Sequence, residues 1–409
     1  MKNYLAFLLL ILTAHTAMNQ SLDDYLEVAL QNNPDLKAAY FSFEAQLEKV
    51  EQVKFLASPT LGFGYFISPI ETRIGSQQTK ISLSQMFPWF GTLRAKQDAA
   101  SLMAAAQFEQ FRNKQALLAF EVKTAYYNYL EALELLEIHR QNLSIMKSHK
   151  NMAKIAYSNG KSKNTEVLNA NLILDEITSN IQILDQQLDL LKRSFNRLLN
   201  RPDSLKITPT TLAAPIDLDI NKDPDSLLAH HPKMAALEQQ MAAAINDENI
   251  ARKNGLPQMG VGIDYMVIQP LDGSTVKNNG KDALMPMVSL SLPIFRKKYQ
   301  SQAREIQLYQ KQLAAQKTQL QNTLAIKWAT AQNQLFESLA QYDLDEKRIQ
   351  NAHQEITFAF SDFTVDNGNF KNILESQRNL LKFKLSQVTW KRNYAEALAK
   401  ITYLISKEL

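Results

Sequence analysis

Cysteine is absent from the 409-residue chain. Its absence excludes disulfides, a lipid-modified N-terminal cysteine, thiol catalysis and cysteine metal sites. Glycine (11) and proline (13) are scarce, so the chain has few places to turn sharply and nothing that resembles a flexible linker. The length would suit two or three ordinary domains, but one elongated body built from two halves is the better expectation. Charge of one sign is missing too. The 45 basic and 41 acidic side chains leave a net charge of +4 and are interleaved along the helical segments, a balance that does not indicate a nucleic-acid partner. Past the N-terminus, no apolar run is long enough to cross a bilayer as a helix. Any contact with a membrane core must then be made by strands.

What is present begins with Met1-Lys2, the apolar run Leu5 to Leu12, and small residues up to Ala17. A short basic start, a short apolar core and a small-residue end describe a secretory signal peptide over about 1–17.

Between Gly91 and Gly160 there is neither proline nor another glycine, and apolar residues recur every three or four positions. This predicts a single helix on the order of 100 Å long, at about 1.5 Å of rise per residue. Leu118, Val122, Ala125, Tyr129, Ala132 and Leu136 form a heptad seam that requires partner helices. The seam recurs in frame as Leu324, Trp328, Ala331, Leu335, Ser338 and Tyr342.

Other landmarks repeat as well. The corner Asn33-Pro34 answers to His231-Pro232, and Pro59 answers to Pro257 at the same spacing. Each of the latter prolines opens an alternating segment. Leu61, Phe63 and Tyr65 oppose Gly62 and Gly64; Met259, Val261, Ile263, Tyr265 and Val267 oppose Gly260, Gly262 and Asp264. After a polar loop in each half come returning strands. Ile81 and Leu83 alternate with Lys80, Ser82 and Ser84; Val288 and Leu290 alternate with Met287, Ser289 and Ser291. The expected strands are about 59–67, 78–87, 257–267 and 284–293. The organisation is a first repeat at 22–201, a proline-punctuated equatorial segment at 202–224 and a second repeat at 225–409.

Short strands that are apolar on one face and small or polar on the other fit a transmembrane barrel. The competing reading, a hairpin packed on the protein's own helices, lacks a globular core to cover it. Four strands cannot close, and open edges are not tolerated in lipid. Two copies would give eight strands filled by side chains, and three would give twelve around an aqueous bore. A pore therefore argues for a trimer. Trp89, Phe90 and Phe295 fall where an interfacial aromatic girdle would lie. Alternation places Lys80, Asp264, Ser82 and Ser289 on the lumen side, where the charges of Lys80 and Asp264 are expected to tune passage and the small residues Gly62 and Gly64 to keep the bore open.

No nucleophile, base and acid form a recognisable set, so no enzyme activity and no cofactor are expected. His230-His231 before Pro232 reads as capping and packing, Met285 and Met287 as gap-filling, and Gly62-x-Gly64 lacks the third glycine of a nucleotide loop.

The order and duplication of these features resemble the TolC family of outer-membrane efflux proteins: the Asn33-Pro34 corner, the two proline-initiated hairpins, Gln85-Met86-Phe87-Pro88-Trp89-Phe90-Gly91, and Tyr157-Ser158-Asn159-Gly160 followed by Glu166-Val167-Leu168. The resemblance covers essentially the whole mature chain. It implies a mainly α fold with a membrane β-hairpin pair: two structural repeats, a trimeric twelve-stranded β-barrel in the outer membrane of a Gram-negative cell, and a long coiled-coil α-barrel crossing the periplasm. The implied partners are two further copies, a periplasmic adaptor, an inner-membrane pump of RND or ABC type, and outer-membrane lipid. The entrance would sit at the helix reversals, at Tyr157, Gly160 and Glu166 in the first repeat and at Phe363, Asp366, Asn372 and Glu375 in the second. In the family, acidic residues line it; three copies of Glu375 would make a ring favouring cations. A Tyr and an Arg that hold the closed state in some members fall here on Phe363 and Gly368, so those bonds cannot form. Glu166 and Glu375 also suit the first turn of a helix electrostatically. The same architecture serves as the outer component of type I protein secretion, and a non-conducting secreted scaffold is the reading from another class.

Overall fold

The computed structural model describes residues 21–218, 224–365 and 369–406. The expected signal peptide, Asp366 and Gly368 lie outside them. In chain order the elements are α1 (Leu22–Asn32), α2 (Pro34–Gln52), β1 (Thr60–Thr72), β2 (Gly75–Phe87), α3 (Thr92–Ser158), α4 (Asn164–Leu198), α5 (Pro224–Leu228), α6 (Pro232–Asn254), β3 (Gln258–Gln269), β4 (Ala283–Ser291), α7 (Arg296–Thr364) and α8 (Phe370–Ile405). Helix–hairpin–long helix–return helix is thus written twice, as the repeats predict. The two long helices, of 67 and 69 residues, are interrupted by neither proline nor glycine.

Two compact units are assembled from discontinuous stretches, and neither is one of the sequence repeats. The first contains Ala39–Phe111 and Pro232–Gln321, and with them the sheet. Its four antiparallel strands run in the order β1-β2-β3-β4. The strands differ from the sequence reading mainly in the first hairpin. The polar loop expected after residue 67 is instead strand: β1 continues through Pro69 to Thr72 and turns tightly into Gly75. A register shift between Tyr65 and Ile70 absorbs the proline, which an edge strand tolerates because its missing N–H costs no ladder bond. Gly75 has φ +139°, and a Cβ there would strike the Gln269 carbonyl. β3 extends two residues further than expected, and β4 ends at Ser291, before Leu292.

The second unit holds Arg112–His231 and the chain from Asn322 on, together with the N-terminal stretch up to Ala38. Most of the predicted seam is buried: Leu118, Val122, Ala132 and Leu136 in the first repeat, and Leu324, Trp328, Ala331, Leu335 and Ser338 in the second. Tyr129 and Ala125 are only half-buried, and Tyr126 takes the core position. The segment after α4 explains the shift. The Tyr126 hydroxyl donates to the Thr208 carbonyl at 2.9 Å and accepts from the Thr210 N–H at 3.1 Å, and its ring packs against Tyr25 and Phe195. Tyr25 accepts from the Thr208 N–H, and Tyr394 donates to the Ile216 carbonyl. Tyrosines therefore hold this irregular segment through its backbone.

Local caps set the element ends. Ser21 and Asp24 form a capping box on α1. The Asn33 side chain accepts from the N–H groups of Asp35 and Leu36 and donates to the Leu198 carbonyl, so one residue caps α2 and ties it to the end of α4. His231 is buried with its ring edge-on to Tyr403, 5.5 Å away, a packing role.

Candidate functional site: the sheet faces and the helix reversals

Strand register sorts the sheet residues into two faces. Gly62 and Gly64 of β1, Lys80, Ser82, Ser84 and Met86 of β2, Gly260, Gly262 and Asp264 of β3, and Met285, Met287 and Ser289 of β4 share one. Leu61, Phe63, Tyr65, Ile81, Leu83, Val261, Ile263, Val288 and Leu290 share the other. That second face is apolar and uncovered: Phe63 is 74% exposed and Val288 is 78% exposed. A water-soluble sheet would hide these groups, at about 25 cal/mol per Å² of apolar surface removed from water. Both edges, β1 and β4, are also unpaired within the chain. Lipid and further strands satisfy both conditions together.

The small-residue face is organised differently from the sequence expectation. Lys80 and Asp264 are on it, as alternation predicts, but they face each other. Lys80 Nζ lies 2.5 Å from Asp264 Oδ2, and the Asp264 side chain is fully buried. Asp264 is therefore spent on an ion pair and is not free to act on passing solute. The Met86 sulfur fills the space above Gly260, where a Cβ would collide with it and with the Ser289 hydroxyl. At Gly62 and Gly64 a Cβ would meet only Ser82 and Lys80, at ordinary contact distance.

The first reversal is a hydrogen-bonded stop. The Lys161 N–H donates to the Ala156 carbonyl at 2.9 Å and the Gly160 N–H to the Tyr157 carbonyl at 3.0 Å, with Gly160 at φ +72°. This is the Schellman pattern, and only glycine enters it without strain. Tyr157 is half-exposed. Glu166, the third residue of α4, is buried to 7% exposure, and its carboxylate accepts from the Ser162 hydroxyl. It is turned in as a first-turn helix residue, so it adds nothing to an exposed acidic lining.

At the second reversal Asn369 caps α8 by accepting from the Lys371 N–H at 2.9 Å. Asn372 and Glu375 are exposed as expected. Glu375 is not a bare charge, because Lys371 lies one turn before it at 3.2 Å. Phe363, at the family's tyrosine position, packs edge-on against buried Phe370, with ring centroids 5.3 Å apart. An aromatic contact stands where a hydroxyl bond would be.

The two reversals share one core, made of Met146 and Ala153 from α3, Val167, Ala170 and Ile177 from α4, and Phe370, Ile373 and Leu374 from α8, with Phe360 and Phe363 of α7 against it. Polar ties cross between the hairpins. Gln377 donates to Asn142 at 2.9 Å in a buried contact, and Arg378 pairs with Glu176 at 2.8 Å. Higher up, Arg392 and Lys391 pair with Glu131 and Glu134. Sequence reasoning missed these residues because no local pattern marks a partner on another helix. His139 and His149 are both buried on the inward stripe of α3. Desolvation pushes each imidazole below its usual pKa, with the Glu176 charge working the other way on His139.

Among the described residues, no group of His, Asp and Glu could hold a metal ion, and no helix is long and apolar enough to cross a membrane.

A long helix with its return helix, twice over, joined to a four-stranded sheet with one bare, apolar face, is the architecture of outer-membrane duct proteins. The family model described as outer membrane efflux protein matches residues 25–198, and the fold is similar to that of TolC-like channels. The chain is 24% identical over 268 residues to the pyoverdine export outer membrane protein OpmQ of Pseudomonas putida, a stretch covering 60% of this chain and 56% of that relative. The matched stretch thus spans little more than half the relative's length. In structure it is similar to the outer membrane protein VceC of Vibrio cholerae (TM-score 0.77, 17% identity, 95% of this chain and 96% of that one). It is also similar to the open state of the MtrE outer membrane channel of Neisseria gonorrhoeae (TM-score 0.78, 17% identity, 94% and 89%). These likenesses give the fold, which is one of channel proteins rather than enzymes.

Proposed function

We propose that this chain is one protomer of an outer-membrane exit duct that conducts small molecules or metal ions passively out of the periplasm. The bare apolar face of the sheet, bounded by two unpaired edges, carries the reading. Three copies join edge to edge into a twelve-stranded barrel, the width at which a bore remains. The signal peptide is removed on export, and the segment at 202–224 girdles the helices. A periplasmic adaptor and an inner-membrane pump supply recognition and energy, since the duct has no chemistry of its own.

The entrance is formed at the reversals. Tyr157, Gly160, Asn372 and Glu375 line it, and Phe363 holds the turn from within. Because Glu166 is withdrawn and Glu375 has Lys371 beside it, the lining is closer to neutral than a bare acidic ring. In the barrel, Ser82 and Ser289 line the bore beside the self-compensated Lys80–Asp264 pair.

The test is fractionation and flotation of the full-length protein. It should partition with the outer membrane, need detergent for extraction, float with liposomes, and give discrete conductance steps in a planar bilayer. A mature protein that remained soluble without detergent would sink the duct.

A further inference from the structure

The turn from β4 into α7 carries charge that the fold does not require. Arg296, Lys297 and Lys298 open the helix with no acidic residue in its first turn, at the helix end whose field disfavours cations. At the corresponding turn of the first repeat, after Pro88-Trp89-Phe90, stand Gly91, Thr92 and Leu93, which are uncharged, and the first cations are Arg94 and Lys96 further along α3. The same turn is therefore made without these cations. Lys298 lies over the Tyr299 ring at 5.7 Å, while Arg296 and Lys297 are exposed and have no acidic partner among the described residues.

Of these cations Arg296 borders a groove of about 760 Å³, within the usual range of ligand sites, about 300–1,000 Å³. Arg252 stands on its other side, anchored by Glu248 at 2.7 Å. The floor is Leu256, Leu292 and Ile294. Leu292 continues the alternation of Val288 and Leu290, so the floor extends the apolar face of the sheet. Ile294 and Phe295 beside it are 74% and 77% exposed. An apolar channel running into the lipid-facing stripe, with arginines at its mouth, has the shape of an acyl chain below a phosphate.

We propose that this groove binds an anionic phospholipid of the periplasmic leaflet, with its phosphate between Arg252 and Arg296 and an acyl chain along Leu292 and Ile294. Guanidinium forks suit phosphate oxygens bidentately, and the floor selects a lipid over a soluble anion. The proposal rests on the reading of the strands as lipid-seated.

The experiment uses full-length protein, depleted of lipid in neutral detergent, with phosphatidylglycerol or phosphatidylethanolamine of the same acyl chains added and retained lipid counted by native mass spectrometry. Phosphatidylglycerol should be retained in preference. Arg296→Gln should weaken it about fivefold and Arg296→Gln with Lys297→Gln about 25-fold, since each basic residue near an anionic surface contributes on the order of fivefold. Lys277→Gln, in the β3–β4 loop, should leave it unchanged, and helical circular dichroism should match for all variants. Equal retention of the two lipids, no loss in Arg296→Gln, or displacement by inorganic phosphate would each overturn the assignment. Liposome flotation of the same sample reads the parent proposal separately, because lipid retention in detergent does not require insertion.

Discussion

Two residues at the reversals show how local partners redirect a charge. Glu166 stands in the first turn of α4 and Glu375 one turn further into α8, and Ser162 takes the first inward while the second stays in water beside Lys371. An exposed pair of this kind contributes only about 0–1 kcal/mol to stability, so its consequence is electrostatic. In single-channel recordings, Lys371→Gln should raise preference for cations by unmasking the carboxylate, and Glu375→Gln should lower it. Identical reversal potentials for the two variants would remove Glu375 from the entrance. His149 makes a second residue-scale case. Its ring lies against Phe360 with centroids 5.5 Å apart, and burial holds its pKa below the ordinary value of about 6.5. The unfolded chain therefore takes up a proton first as pH falls, and the stability that neutral His149 contributes is complete above about pH 6.5 and lost below it. The thermal midpoint of the detergent-solubilised protein should fall between pH 7 and pH 5, and His149→Leu should flatten that decline. A decline of unchanged steepness would assign it to other groups.

At the scale of elements, the question is what holds the α7–α8 hairpin to the α3–α4 hairpin near the turns. Arg378–Glu176 is the more visible bond, but both side chains are more than half exposed, so solvent screens it. Gln377–Asn142 is neutral and buried. Removing one partner there leaves the other unsatisfied, at a cost of about 1–3 kcal/mol. If the duct opens by separating these hairpins, Gln377→Leu should raise open probability severalfold in a planar bilayer, while Arg378→Ala should change it little. The reverse ranking would place the latch at the surface pair. These elements were legible in the sequence to within a few residues, because long runs without proline and glycine, a repeated seam and strict alternation are local signals. Their ties were not. Asn142 and Gln377 lie on different helices, and nothing near either predicts the other. Tyr126 displaced Tyr129 from the core because a distant backbone segment offered it bonds. The first hairpin was read short because Pro69 and the polar residues beyond it look like a loop, whereas a register shift keeps them in the strand.

At the scale of the whole assembly, the proposed duct needs more than one copy of the chain. β1 and β4 each present an unsatisfied edge, which in hydrocarbon costs several kcal/mol for each open backbone group, and in the proposed barrel another copy supplies the missing ladder. The count of copies follows from what the barrel must enclose. Eight strands from two copies close around side chains, and the Lys80–Asp264 pair with Met86 over Gly260 would already crowd such an interior. Twelve strands from three copies leave the small-residue face looking onto water. The lack of cysteine makes this directly measurable. Introducing one cysteine in β1 and one in β4, scanning Leu61, Phe63 and Tyr65 against Leu284, Val288 and Leu290, places every new disulfide between copies, provided the two Cα atoms come within about 7 Å. In at least one register, oxidation in outer membranes should give a non-reducing ladder of monomer, dimer and trimer that ends at the trimer. In a closed trimer the third bond would join the first copy to the last. A ladder ending at dimer would mean an eight-stranded barrel without a bore, and one extending past trimer would mean a wider ring than twelve strands. Bonds formed within a single chain would mean that β1 and β4 meet each other and that the sheet closes without partners.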